Sequence, residues 1–107
     1  MNKKEYISLI VEKIKQEKPE KIILFGSYAY GKPGKESDVD ILVIKNIEEN
    51  KIRDFRIKLK MLLWEIIIKE NVPVDILVDN QERINQRIND GDMFYEEIMR
   101  KGNVVYA

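Results

Sequence analysis

The sequence contains no cysteine and no histidine. The first absence excludes disulfides and zinc–thiolate centres and fits a reducing cytoplasm. The second removes the side chain that most readily exchanges a proton near neutral pH and the commonest transition-metal ligand. Acid–base and metal chemistry must then rest on oxygen ligands, which suit hard cations such as Mg²⁺ and Mn²⁺. An excess of either charge is also missing, since 19 basic residues balance 19 acidic ones. That balance argues against a nucleic-acid partner, because proteins that bind nucleic acid usually carry a basic excess. Apolar runs extend for only a few residues, so no membrane span or signal peptide is expected. Internal repeats, low-complexity segments and linkers are absent as well. The 107 residues suffice for one core, and a single domain over 1–107 is expected, with no second lobe.

What is present is concentrated in residues 22–44. Ile22-Ile23-Leu24-Phe25 is short, β-branched and aromatic, and reads as a buried strand. Gly26 ends it where the backbone needs a conformation only glycine tolerates, or where a ligand comes close. Ser27 is placed to cap a short helix over 28–30, whose first amides would form an anion site suited to phosphate. A branched side chain at Gly26 should therefore block a triphosphate yet spare a neighbouring metal site. The loop 31–37, with Pro33-Gly34 at its turn, leads to a second strand over 37–44. Asp38 and Asp40 share one face of that strand, about 7 Å apart. Carboxylates so close raise each other's pKa unless a cation lies between them. Leu42 and Ile44 continue the same face, which puts the acids at the mouth of an apolar surface. Val74-Asp75-Ile76-Leu77-Val78 is a third apolar run broken by one acid. Three aspartates on strands beside a Gly-Ser cradle make a site for metal-assisted phosphoryl chemistry. Gly26 to Lys32 also matches the spacing of a P-loop, but Pro33 stands where that motif needs Ser or Thr.

Helical signals surround these strands. Asn2 and Glu5 form a capping box ahead of an apolar face made by Tyr6, Ile7, Ile10, Val11 and Ile14. The stretch Glu49–Glu70 carries two apolar stripes on nearly opposite sides. One holds Ile52, Phe55, Leu59, Leu62, Leu63, Ile66 and Ile67; the other holds Ile57, Met61, Trp64 and Ile68. The first should pack on the sheet. The second is either buried under the N-terminal helix or is a surface for a partner or a homo-oligomer. Asp79 can cap a third helix and Asp92 a fourth, Met93–Lys101, before a short closing strand over 104–106. The expected fold is α/β or α+β, a small mixed sheet with helices packed mainly on one face.

Gly26-Ser27, Gly31, Ser37-Asp38-Val39-Asp40 and Asp75 together resemble the signature of the DNA polymerase β-like nucleotidyltransferase superfamily. The small size resembles its minimal nucleotidyltransferase (MNT) branch, the antitoxin partners of HEPN-domain toxins. The resemblance covers nearly the whole chain and implies the polymerase β-like fold. It implies a nucleotidyltransferase with Asp38, Asp40 and Asp75 as catalytic and metal-binding residues and Gly26-Ser27 as the phosphate cradle. It further implies Mg²⁺ or Mn²⁺ as cofactor, ATP or another NTP as substrate, and a hydroxyl on a HEPN toxin, most naturally a tyrosine, as acceptor. Tyr30 stands where many members carry Arg just before the second glycine of the motif; Lys32 and Lys35 are the cations nearest in sequence. A binding module that silences its partner by occlusion is the rival reading.

Overall fold

The computed structural model describes residues 1–30 and 38–107. The elements run α1 (Lys3–Lys15), β1 (Lys21–Phe25), β2 (Val39–Ile44), α2 (Glu49–Glu70), β3 (Val74–Asp79), α3 (Gln81–Asn89), α4 (Met93–Lys101) and β4 (Asn103–Tyr106). The strands form one mixed sheet in the order β3-β2-β1-β4. β1 pairs antiparallel with both β2 and β4, while β2 and β3 run parallel, joined by the α2 crossover. This is the α+β class expected from the sequence. The expected loop 31–37 lies outside the described residues, and with it Gly31, Lys32, Lys35 and Ser37; β2 starts at Val39, just after Asp38.

Alternation along the strands splits the core in two. Ile22, Leu24, Val39, Ile41, Val43, Ile76 and Val78 meet α1 and α2 on one face. Ile23, Phe25, Leu42 and Ile44 meet Ile84 of α3 and Ile98 of α4 on the other. The two longer helices thus lie together, as expected, but the opposite face is not bare: the two short ones close it.

Helix ends explain several boundaries. Asn2 Oδ1 accepts the Glu5 amide at 2.8 Å, the first half of the expected capping box, while its side-chain amide, rather than its backbone N–H, donates to the Glu5 carboxylate at 2.8 Å. Asn71 ends α2 in the left-handed conformation, φ 54°, which asparagine tolerates better than most residues. Asp92 caps α4 by accepting the Tyr95 amide. The expected cap at Asp79 is displaced by one residue. Asn80 accepts the Arg83 amide at 2.8 Å, while Asp79 is the last residue of β3 and is buried.

The buried Asp79 carboxylate is held from three sides. It accepts from the Asn80 amide at 2.9 Å, from Arg83 Nε at 2.9 Å and from the Tyr95 hydroxyl at 2.7 Å. Burial, followed by these bonds to Asp79, pushes the Tyr95 phenol well above its ordinary value. The cluster ties β3, α3 and α4 together at the sheet end remote from Asp75. Tyr95→Phe should cost about 1.5–3 kcal/mol, the usual worth of a hydrogen bond to a charged acceptor. Urea denaturation is the check; an unchanged midpoint would show that water replaces the hydroxyl.

The second stripe of α2 departs from the burial reading. Leu59, Leu63 and Ile66 are buried, but Ile57, Met61, Trp64 and Ile68 are exposed. The N-terminal helix does not cover them, because its own apolar residues Tyr6, Ile10, Val11 and Ile14 enter the core shared with the sheet and the first stripe.

Candidate active site

β2 and β3 bring two of the three acids side by side. Asp40 is the register partner of Asp75 in the parallel pair, and of Phe25 in the antiparallel pair with β1. All three therefore point to the sheet face that α3 and α4 cover, the face of Leu42 and Ile44. Adjacent strands lie about 4.8 Å apart, so the two carboxylates are neighbours. Asp38 stands two residues upstream, exposed, where the chain enters β2. Asp40 is half-buried and Asp75 exposed.

Electrostatics mark Asp40 as the centre of this edge. Burial first, then the charges of Asp75 and Asp38, hold its carboxyl above the ordinary carboxylate range. Among the described residues, no Lys or Arg forms an ion pair with any of the three. Uncompensated negative charge on an oxygen-only donor set is the chemistry that a hard divalent cation fits. Among the described residues no three carboxylates already converge on a point as a finished metal centre. The aspartates instead form an open edge.

Gly26 closes the other side. Its φ of +72° is a left-handed conformation, and a Cβ there would collide with Asp40 Oδ2 and lie 3.2 Å from its Cγ. A branched residue at Gly26 would therefore not leave the acids untouched, because the Asp40 carboxylate would have to shift out of the same space. Beyond Gly26 the chain makes a hydrogen-bonded turn rather than the expected short helix. The amides of Ala29 and Tyr30 both donate to the Gly26 carbonyl at 3.1 Å. Four residues from Ser27 to Tyr30 form this turn, too few to sum a helix dipole. With the Ala29 and Tyr30 amides engaged by the Gly26 carbonyl, the candidate anion donors of this turn are the Ser27 and Tyr28 amides and the Ser27 hydroxyl.

The two tyrosines of the turn differ. Tyr28 packs partly buried against the core, with Lys3 Nζ 5.5 Å from its ring centre, whereas Tyr30 is exposed. Phe94, at the start of α4, went unnoticed in the sequence; its ring meets Phe25 beside Asp40. No local signal connects it to β1, because the contact depends on how α4 crosses the sheet.

Comparison with known proteins bears on the family and the fold. Residues 7–105 match the family described as the nucleotidyltransferase domain. A Methanocaldococcus jannaschii protein with the provisional name protein adenylyltransferase is 32% identical over 109 residues, covering 99% of this chain and all of the relative. A solved structure titled as a toxin–antitoxin with AMP-PNP superposes with a TM-score of 0.51 at 20% identity, covering 100% of this chain and 74% of that one. At that identity the likeness speaks for the fold alone.

Proposed function

As a member of the nucleotidyltransferase domain family the chain is a nucleotidyltransferase, and we propose that it moves AMP from ATP onto a hydroxyl of a partner protein, a tyrosine of a HEPN toxin. The observation that carries this reading is the placing of Asp40 between Asp75 on one neighbouring strand and the Gly26 backbone just past the end of the other. A phosphate held by the turn amides would there lie against two carboxylates.

Asp38, Asp40 and Asp75 would hold the divalent cation, Mg²⁺ or Mn²⁺. A cation at such a site neutralises phosphoryl oxygens and makes a bound hydroxyl easier to deprotonate. The turn from Gly26, with Ser27, holds the triphosphate and orients the α-phosphorus towards Asp75. Asp75, the more exposed of the register pair, takes the proton of the acceptor hydroxyl. The acceptor oxygen bonds to the α-phosphorus, the bond from that phosphorus to its bridging oxygen breaks, and pyrophosphate leaves. In a chain without histidine, a carboxylate is the side chain suited to receive that proton.

The protein acceptor rests on two likenesses: the relative's provisional activity is on proteins, and the fold neighbour belongs to a toxin–antitoxin. The chain would then act as the antitoxin, in a cytoplasm that its lack of cysteine suits. Among the described residues no helix is long and apolar enough to cross a membrane.

Incubation with the candidate toxin, ATP and Mg²⁺, followed by intact mass measurement, is the test. The expected outcome is a gain of whole AMP units on the toxin, abolished by chelator. Silencing of the toxin at unchanged mass would replace this reading with occlusion.

A further inference from the structure

Phe94 lies in the first turn of α4 and is 53% exposed; Met93 beside it is 82% exposed. Its ring meets Phe25 at a centroid distance of 5.8 Å and an interplanar angle of 85°. Phe25 is 7% exposed and pairs with Asp40 across β1 and β2. Side chains opposite one another on antiparallel strands stand about 4.5–5.5 Å apart at Cβ. With the length of the Phe25 side chain and the ring spacing added, the Phe94 ring lies within roughly 14 Å of the Asp40 Cβ, a span that the phosphates, ribose and base of one nucleotide can bridge.

The contact with Phe25 is perpendicular. The Tyr95 ring also lies near, 6.1 Å away and tilted by 41°, yet Phe94 stays 53% exposed, which leaves ring area for a further stack. A rigid ring of this kind, seated on a helix, suits stacking by a planar base. The neighbouring aromatics are less suited. Tyr28 is packed against the core under Lys3, and the Tyr95 hydroxyl is committed to Asp79. Tyr30 is exposed, but it sits on the turn rather than on a helix.

We infer that Phe94 is the platform on which the nucleobase stacks when the nucleotide's phosphates lie along the edge formed by Gly26 and Asp40. The inference rests on the nucleotidyl-transfer reading above. It assigns the base a site on this chain's own fourth helix.

The test titrates wild type, Phe94→Ala, Phe94→Leu, Phe94→Trp and Tyr30→Ala with ATP and with inorganic tripolyphosphate, in Mg²⁺, by calorimetry. Phe94→Ala and Phe94→Leu should weaken ATP binding by about 5- to 100-fold, the range for loss of one base–aromatic stack. Tripolyphosphate, which has no base, should bind within about twofold of wild type in both. Phe94→Trp should keep ATP affinity. Unchanged ATP affinity in Phe94→Ala overturns the platform. So does parallel loss of both ligands, which marks a structural role, and so does a base-dependent loss confined to Tyr30→Ala. Failure of the nucleotidyl-transfer reading looks different: unaltered protein then binds neither ligand, and the platform falls with it.

Discussion

Asp38→Asn combined with Asp40→Asn should abolish transfer while the domain stays folded. Loss of a single well-placed electrostatic contact to a reacting group costs about 10²–10³ in rate, so removal of two carboxylates should exceed about 10³-fold. Stability should hold or rise, because neither residue has an ion-pair partner among the described residues, and Asp40 is burdened by burial and by its acidic neighbours. The pH dependence follows in sign. A carboxyl whose folded pKa is raised binds its proton more tightly in the folded state than in the unfolded one. Its contribution to stability is fully present below the unfolded value, about 3.9, and is lost as pH rises through the folded value. In metal-free protein, Asp40→Asn escapes that loss. Its advantage over wild type should therefore be greatest near neutral pH and close as pH falls towards 4. Thermal unfolding across that range checks the sign, and Mn²⁺ titration should show the site gone. Undiminished transfer in the double variant would remove the carboxylate mechanism outright.

Much of this edge was legible because its determinants are local. Gly26 ends an apolar run, Asp38 and Asp40 open another, and Asp75 sits inside a third; each reading needs only the residues around it. The same holds for the caps at Asn2 and Asp92. What required the structure was register. Nothing local states that Asp40 lies opposite Asp75 rather than one residue away, and a slip of one would turn either acid to the other face. The Asp79 cap was misread because Asp79 and Asn80 are adjacent and both residue types cap helices well. The choice was made by burial, which gave Asp79 to Arg83 and Tyr95. Phe94 has no local signal either, since its contact with Phe25 depends on how α4 crosses β1. The two stripes of α2 were correctly read from periodicity, but periodicity alone does not say which neighbour covers a stripe.

The exposed stripe carries the other large effect. Trp64 is 61% exposed and Met61 74%, so Trp64→Ala should change stability by no more than about 0.5 kcal/mol, as at other surface positions, instead of the several kcal/mol that a buried tryptophan would cost. For Trp64→Glu the thermal midpoint should stay within a few degrees. Its effect should fall on binding of the acceptor protein. The stripe runs towards Ile68, and α2 leads directly into β3 through Asn71 to Pro73, so its C-terminal end approaches the sheet edge where Asp75 stands. A protein seated there would lie on the sheet face opposite that of the aspartates, so it would have to reach round the β3 edge to present a hydroxyl to them. Its expected chemistry is an apolar centre to match Ile57, Met61, Trp64 and Ile68. Tryptophan is the residue type that most often anchors such a contact. A lost anchor of about 2 kcal/mol or more weakens binding by about 30-fold, so Trp64→Glu should bind the toxin at least that much more weakly, and Met61→Lys should follow. Light scattering on the chain alone separates the remaining occupant. If wild type is a dimer that Trp64→Glu dissociates, while toxin binding is untouched, the stripe joins two copies of this chain. If Trp64→Glu unfolds by circular dichroism, the stripe belongs to the core after all.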